Sequence, residues 1–367
     1  VLNRKLLRDL WRLRGQVLAI AMVVASGVAV LVMSLATLSS LQETAVTYYE
    51  RHRFADVFAR VTRAPEQLAA RIAGIPGVQH AETRISKLAT LDIAGFEEPV
   101  IGQLVSIPEH GESVLNRLAL LAGRRVQPDH PDEVVLSEPF AEAHGLTPGS
   151  RLHAIINGKR RALHVVGIAL SPEYVYAIGP GALMPDNQRF GILWMGRKAL
   201  AAAYDLDGAF NDIALSLLHG TQPASVIQPL DQLLGRYGGI GAIARADQLS
   251  NWFLMNEIDQ LGTMARILPT IFLVVAAFLT NMVLARIIAT ERSEIGLMKA
   301  FGYRNTEIGW HYARMVIAIT AVGIVLGWVI GAVFGKVSTE LYAEFYRFPL
   351  LIFEPKPSSF AAGALVS

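Results

Sequence analysis

The sequence predicts an α-helical membrane protein with three complete spans plus the start of a fourth. A large mixed α/β extracytoplasmic domain is expected between spans one and two. Three observations predict this. The 367 residues are 52% hydrophobic and only 17% charged, where soluble chains carry roughly 25% charge. The apolar residues are concentrated, so that 17–38, 267–285 and 315–335 contain no charged side chain. Charge is partitioned in the same way: residues 42–262 hold 19 Lys and Arg against 24 Asp and Glu, net −5, and the remainder carries net +7.

Each run meets the physical requirement for a span. At about 1.5 Å per helical residue, Val17 to Leu38 covers roughly 33 Å, enough for a hydrocarbon core of about 30 Å. A charge at the centre of such a helix costs about 2.5–3.5 kcal/mol, so runs free of charge are selected. The first run is too long for the apolar region of a signal peptide. It continues in helical pattern into Ser39-Ser40-Leu41-Gln42-Glu43 and reads as an uncleaved anchor. Arg4, Lys5, Arg8, Arg12 and Arg14 precede it, and Arg286, Arg292, Lys299, Arg304 and Arg314 lie between the second and third runs. The positive-inside rule places both segments in the cytoplasm and 42–262 outside. Trp11, Trp310 and Tyr312 are expected at the inner interface, and Trp252, Phe253, Tyr342 and Tyr346 at the outer one. After the Pro-rich approach from Glu354, with Ser358 or Ser359 as N-cap, Phe360–Ser367 reads as the first turns of a fourth span cut off by the chain end. The expected organisation is 1–41 as basic tail and first span, 42–262 as outer domain with flanking stalk helices, and 263–367 as the remaining membrane part. The localisation this implies is a multi-pass membrane protein, which the family resemblance described below would place in the bacterial inner membrane.

Within 42–262 the patterns alternate between helix and strand. Residues 65–75 have helical spacing, with Leu68, Ile72 and Ile75 on one face. Gly74-Ile-Pro-Gly-Val78 turns into a strand over 79–85. A short strand at 134–136 precedes a helix over 139–144 that Gly145 ends. Strands 151–156 and 163–168 flank Asn157-Gly158, a strong hairpin signal. Leu41–Val57 and 248–266 read as helical stalks continuous with spans one and two.

Several functions are excluded. With no cysteine there is no disulfide framework, no Cys-ligated metal and no Cys nucleophile. A net charge of +2 does not suit a nucleic-acid binder. No catalytic and no metal-binding constellation is expected, since the nine histidines show no paired spacing. Gly239-Ile-Gly-Ala-Ile-Ala244 matches a dinucleotide pattern only superficially and reads as a loop; Gly331–Val337 lacks the spacing of a phosphate loop. If ATP drives the protein, another chain hydrolyses it, and no cofactor is bound directly. No ionisable residue falls in mid-span, which counts against an ion-coupled transporter. In the third span Gly323, Gly327, Gly331 and Gly335 recur every four residues, a stripe on which another helix backbone can pack closely.

The most specific segment is Thr290–Ile308. Ile295, Met298, Ala300 and Phe301 make an apolar face on a short helix. Glu291, Glu294, Lys299 and Arg304 make its charged rim. Gly302 ends it, and Asn305-Thr306 can cap the next helix. An amphipathic helix at the tip of two spans is a docking knob. The segment resembles the FtsX-like/MacB-like family of ABC transporter permeases in Arg292, Glu294-Ile295-Gly296, Ala300, Gly302 and Ile308. The outer domain is similar to that family's periplasmic core in Leu121–Arg125, Asp132–Glu138, Gly145–Gly149 and Val165–Ile168.

The resemblance implies a half-transporter that pairs with a second permease copy. Its coupling helix, about 290–304, would dock on a cytoplasmic ABC ATPase subunit through Glu291, Arg292, Glu294, Ile295, Gly296, Leu297, Lys299, Ala300, Phe301 and Gly302. It further implies mechanotransmission: ATP turnover in the partner moves the outer domain to export or extract a lipid, lipoprotein, peptide or drug. Membrane lipid, a periplasmic adaptor and a substrate protein are the other implied partners. The alternative is a non-transporting adaptor that activates a periplasmic cell-wall hydrolase. A membrane sensor would need a cytoplasmic signalling domain, for which neither basic segment is long enough.

Overall fold

The computed structural model describes residues 8, 11, 12, 14–353 and 357–366. The chain forms two compact units, one of 1–44, 257–343 and 351–367, the other of 45–256 and 344–350. Arg4, Lys5, Asp9 and the Glu354–Lys356 approach lie outside the described residues, as do the side chains of Ser358 and Ser359.

Among the described residues three helices are long and apolar enough to cross a membrane: α1 (Arg14–Arg51), α6 (Leu249–Thr290) and α8 (Asn305–Phe345). Between α6 and α8 stands α7 (Arg292–Ala300), and α9 (Pro357–Val366) follows. In the first unit the buried residues of α1 recur at helical spacing, Ile20, Val24, Val28 and Val32, and meet Ala276 and Ile287 of α6 and Ile308, Tyr312, Met315 and Ile319 of α8. The other faces of α6 and α8 stay apolar and exposed, as in Phe272, Phe278, Val325, Val329 and Phe334. That distribution suits lipid rather than water. The Trp328 indole N–H donates to the Phe360 carbonyl at 3.1 Å, which fixes α9 to α8.

The second unit is built from two sheets. β1 (Val57–Pro65), β2 (Val78–Arg84), β10 (Ala209–Leu217) and the two-residue β11 (Ile243–Ala244) form a sheet in the order β11-β1-β10-β2. Val57, Ala59 and Val61 of β1 alternate inward and meet Val226, Leu230 and Leu234 of α5 (Pro223–Leu234), which share one helix face at i, i+4, i+8. Leu68 and Ile72 of α2 (Leu68–Ala73) complete this core.

The second sheet has the order β5-β8-β6-β9-β4-β3-β7. Its strands are β3 (Ser86–Asp92), β4 (Val100–Ile107), β5 (Ala119–Gly123), β6 (Glu133–Ser137), β7 (Arg151–Ile156), β8 (Lys159–Leu170) and β9 (Phe190–Gly196). β8 also pairs with β7 through Lys159–His164, so six of these strands close into a ring with β5 added to the far half of β8. β9 is buried on both faces: Ile192 and Trp194 enter one apolar cluster, Leu193 and Met195 the other. This is the two-residue period of a strand. Helices α3 (Glu138–Ala143) and α4 (Arg197–Tyr204) contribute Phe140 and Leu200 to the core.

The hairpin at Asn157-Gly158 forms as expected, with φ of 48° and 75° at its two residues, the positive pair that a type I′ turn requires. Gly145 closes α3 at φ 62°. Four readings need correction. The helix expected over 65–75 is shorter, because Pro65 stays in β1 and α2 covers only Leu68–Ala73. The stalk expected to reach Val57 ends at Arg51, although no helix breaker stands there. Arg53 turns at φ 50°, and the following backbone is taken up by distant groups. The Asn116 and Arg117 amides donate to the Arg53 and His52 carbonyls, and the Ala55 amide donates to Asn116 Oδ1 at 2.9 Å. Tyr346, expected at an interface, is buried, ringed by Tyr176, Phe345 and Phe348. Tyr312 is buried too.

Candidate functional site

The loop joining α6 and α8 is short, and its hydrogen bonds are local. The Glu291 amide continues the α6 ladder to the Ile287 carbonyl at 2.9 Å, and the Ile295 amide opens α7 on the Glu291 carbonyl at 3.0 Å. α7 ends where the Phe301 and Gly302 amides reach the Leu297 and Lys299 carbonyls. Gly302 sits at φ 89°, a left-handed conformation that a side chain resists. The expected Asn305-Thr306 cap does not form. Instead, the Arg304 amide donates to Glu307 Oε2 at 2.8 Å, the backward half of a capping box.

The expected docking residues divide into two sets. Ile295 and Met298 are half-buried and pack against the helix bundle. Glu291 is buried, and its Oε2 accepts the Tyr312 hydroxyl at 2.8 Å. These three hold α7 in place, so Glu291 is no part of a charged rim, and Ile295 and Met298 share no exposed face with Phe301. Leu297 and Phe301 point outward at 59% and 80% exposure. Arg292, Gly296, Lys299 and Ala300 are exposed with them. Glu294 lies 3.4 Å from Arg12 Nη1, an exposed pair worth at most about 1 kcal/mol.

The glycine stripe meets α1. Gly323, Gly327, Gly331 and Gly335 are all buried. A methyl group at Gly327 would stand 2.6 Å from Val28 Cβ and 2.8 Å from the Ala25 carbonyl oxygen. At Gly323 and Gly331 the nearest atoms are the Ala21 and Ala29 carbonyl oxygens, each at 2.8 Å. At Gly335 the gap opens to 3.3 Å, to Ala36 Cβ. Gly27, which the spacing did not single out, makes the matching approach to Leu273 of α6 at 3.1 Å.

In the second unit, reasoning from sequence missed a buried ionic knot. The Arg84 guanidinium donates to Asp212 Oδ1 at 2.8 Å and to both Glu173 oxygens at 2.5 and 3.0 Å. Asn116 Nδ2 donates to Glu173 Oε2 at 2.8 Å. Burial alone would weaken the charged form of Arg84, but the two carboxylates hold it protonated well above its ordinary range. Burial and the adjacent Glu173 push the Tyr174 hydroxyl well up. The partners are 89 and 128 residues from Arg84 along the chain, so no local spacing announces them. Beside the knot, Arg245 donates to the Phe54 carbonyl at 2.6 Å, the Ala55 carbonyl at 2.9 Å and Asp56 Oδ1 at 2.6 Å. Gln248 Nε2 donates to the Glu173 carbonyl at 2.9 Å. The segments that follow α1 and precede α6 are thus tied together at one place. Among the described residues no group of three or more His, Asp or Glu is arranged to hold a metal ion.

Among the described residues, three long apolar helices, a glycine seam and a short amphipathic helix between two of them make up the first unit. Residues 266–367, less than half of the chain, match the family model of the FtsX-like permease C-terminal domain. This stretch is similar to the C-terminal domain of FtsX-like permeases. The resemblance read at 290–308 is borne out, since the match includes that segment. Similar solved structures include the extracellular domain of the noncanonic ABC-type transporter YknZ from Gram-positive bacteria, at 14% identity over 52% of this chain and 98% of that one, with a TM-score of 0.34. The periplasmic region of MacB from Actinobacillus actinomycetemcomitans aligns at 13% identity over 59% of this chain and 97% of that one, TM-score 0.35. A domain of a permease protein from Porphyromonas gingivalis aligns at 14% identity over 56% and 97%, TM-score 0.31. No curated protein sequence matches the chain.

Proposed function

We propose that this chain is the permease subunit of an ABC system in the bacterial inner membrane. It couples ATP hydrolysis by a separate cytoplasmic ATPase subunit to movement of the domain inserted between α1 and α6. The work done is export or extraction of a lipid, lipoprotein, peptide or drug, by a pair of permease copies and two ATPase chains. The observation that carries the reading is the outward display of Leu297 and Phe301 on α7, within the stretch that matches the permease family. Large exposed apolar side chains on a short helix held from behind by Glu291, Ile295 and Met298 suit a rigid docking contact. Coupling requires that this contact differ between the ATPase's two states, because a partner that binds both equally shifts nothing.

The test uses the full chain in nanodiscs with ATPases encoded in the same genome. Leu297→Asp and Phe301→Asp sit on the surface, where substitutions usually change stability by no more than about 0.5 kcal/mol. Each removes apolar contact worth about 1.5–3 kcal/mol when buried against a partner. Co-purification and stimulation of the ATPase should fall at least about tenfold in either variant, with membrane insertion unchanged. Persistent co-purification in the double variant would sink the docking assignment. Ile295→Asp is a poorer probe, since it also disrupts the packing of α7 on the bundle.

A further inference from the structure

The inserted domain holds a cavity of about 920 Å³ between its two sheets. One wall comes from Phe58 and Arg60 of β1 and from Ile240 and Ile243, and the other from Lys87 and Leu88 of β3. Glu173, Tyr174, residues 176–182 and Leu249 also line it. The volume lies in the range of small-molecule sites, about 300–1,000 Å³.

Two features select a ligand class. First, the walls are apolar and uncovered: Leu88 is 50% exposed, Ile240 78%, Ile243 40% and Leu249 53%. Soluble surfaces rarely leave apolar side chains gathered in this way unless something covers them. Second, the charge left over in the cavity is positive. Asp212 and Glu173 also line it, but both are bound by the buried Arg84. Arg60, 58% exposed, lies 3.5 Å from the outer oxygen of the same Asp212. Lys87 has no carboxylate within 4.0 Å among the described residues. Arg84 and Arg60 therefore share the two buried carboxylates while Lys87 meets neither, and Arg60 and Lys87 are the accessible cations at the cavity.

We infer that this cavity binds an anionic amphiphile of the membrane, with its alkyl chain against Leu88, Ile240, Ile243 and Leu249 and its headgroup at Lys87 and Arg60. The inference names a substrate class for the permease and so rests on the transport reading above, but it is tested without any ATPase. A single alkyl chain gains about 0.8 kcal/mol per buried CH₂, so the apolar walls supply affinity. The cations select the sign of the headgroup. The carboxamide of Gln103, which reaches Ser86 Oγ at 3.1 Å and Tyr174 at 3.4 Å, stands in the same wall as an additional polar contact.

The experiment is photo-crosslinking of the full chain in nanodiscs with a diazirine-bearing fatty acid, followed by peptide mapping. A cationic alkylammonium of equal chain length, carrying the same diazirine, is the control. Adducts are expected on peptides containing Leu88, 178–182 and 240–249, with the fatty acid labelling them at least about tenfold more than the ammonium. Lys87→Glu should lower fatty-acid labelling there by about five- to tenfold, the effect of replacing an ion pair with a repulsion, and should raise labelling by the ammonium. Labelling of the spans serves as an internal reference for lipid partition and for folding. Adducts confined to 267–285 and 315–335, or equal labelling by the two probes, would overturn the inference. Either result leaves ATPase binding by Leu297 and Phe301 untouched. Loss of ATPase binding with the labelling pattern intact would instead strike the transport reading alone.

Discussion

Gly327→Ala probes the seam between α8 and α1 with a single methyl group. The added carbon would lie 2.6 Å from Val28 Cβ and 2.8 Å from the Ala25 carbonyl oxygen, where non-bonded carbons prefer about 3.5–4.0 Å. Val28 is fully buried and a backbone carbonyl cannot rotate aside, so the helices must separate by about 1 Å to restore the preferred distance. A gap of 0.5–1 Å forfeits about a quarter to a half of each contact along the seam. Overpacking of this kind typically costs about 1–3 kcal/mol, partly offset by the gain of up to about 1 kcal/mol from replacing glycine in a helix. The net expectation is about 1–2 kcal/mol of destabilisation, the balance of those two contributions. Gly335→Ala, with 3.3 Å to its nearest neighbour, should be close to neutral. Gly309, in the same helix, has nothing within 4 Å, and alanine there should stabilise by about 0.5–1 kcal/mol. Thermal unfolding of the full chain in one detergent, followed by Trp328 fluorescence, should order the midpoints as Gly309→Ala, wild type, Gly335→Ala and Gly327→Ala from high to low. A Gly327→Ala variant as stable as Gly309→Ala would refute the seam.

Two further outcomes concern the inserted domain. Arg84→Met removes the cation from a knot that holds Asp212 and Glu173 away from water; breaking such a buried pair costs about 3–5 kcal/mol. Hydrogen exchange should show protection lost across β2 and β10, with the ring strands β4 and β9 less affected. Uniform protection would contradict a structural role for the knot. Glu133 accepts from the Arg124 guanidinium and, at 2.8 Å, from the Gln127 amide. Its carboxyl is held below the usual range, chiefly by Arg124. A lowered folded-state pKa contributes stability above the unfolded value, about 4.3, and that contribution disappears as pH falls through the folded value. Glu133→Gln should therefore flatten the acid side of a stability–pH curve and leave the neutral side shallow. An unchanged acid slope would remove Glu133 from the account.

Much of this molecule was readable in one dimension. A span announces itself by length and the absence of charge, because the bilayer penalises each charge individually. Gly302 and Asn157-Gly158 were readable because positive φ is a local demand that few residues meet. The glycine stripe was visible as spacing, but its partner was not: α1 lies some 300 positions away in the chain, and nothing in the stripe names Val24, Val28 or Val32. Three misreadings share one cause. Leu41–Val57 has helical composition throughout, yet the helix stops where the carbonyls of His52 and Arg53 are captured by the amides of Arg117 and Asn116, far along the chain. Tyr312 looks like an interface residue and Glu291 like part of the charged rim of α7 until they meet each other. Ile295 and Phe301 both look like docking residues, yet α7 turns one inward and the other out.

By itself the sequence determined that the chain is a membrane protein, which of its helices are apolar enough to span, and that 290–308 carries a permease motif. These are properties of single residues and short windows, set by hydration cost and backbone preference. The tertiary structure alone decided which face of α7 is presented, where the glycine stripe lands, and that Arg84, Glu173 and Asp212 meet beneath a cavity with two accessible cations. Each of these depends on groups far apart in the chain being brought within a few ångströms, where dispersion and Coulomb interactions become strong enough to choose among the arrangements that local sequence permits.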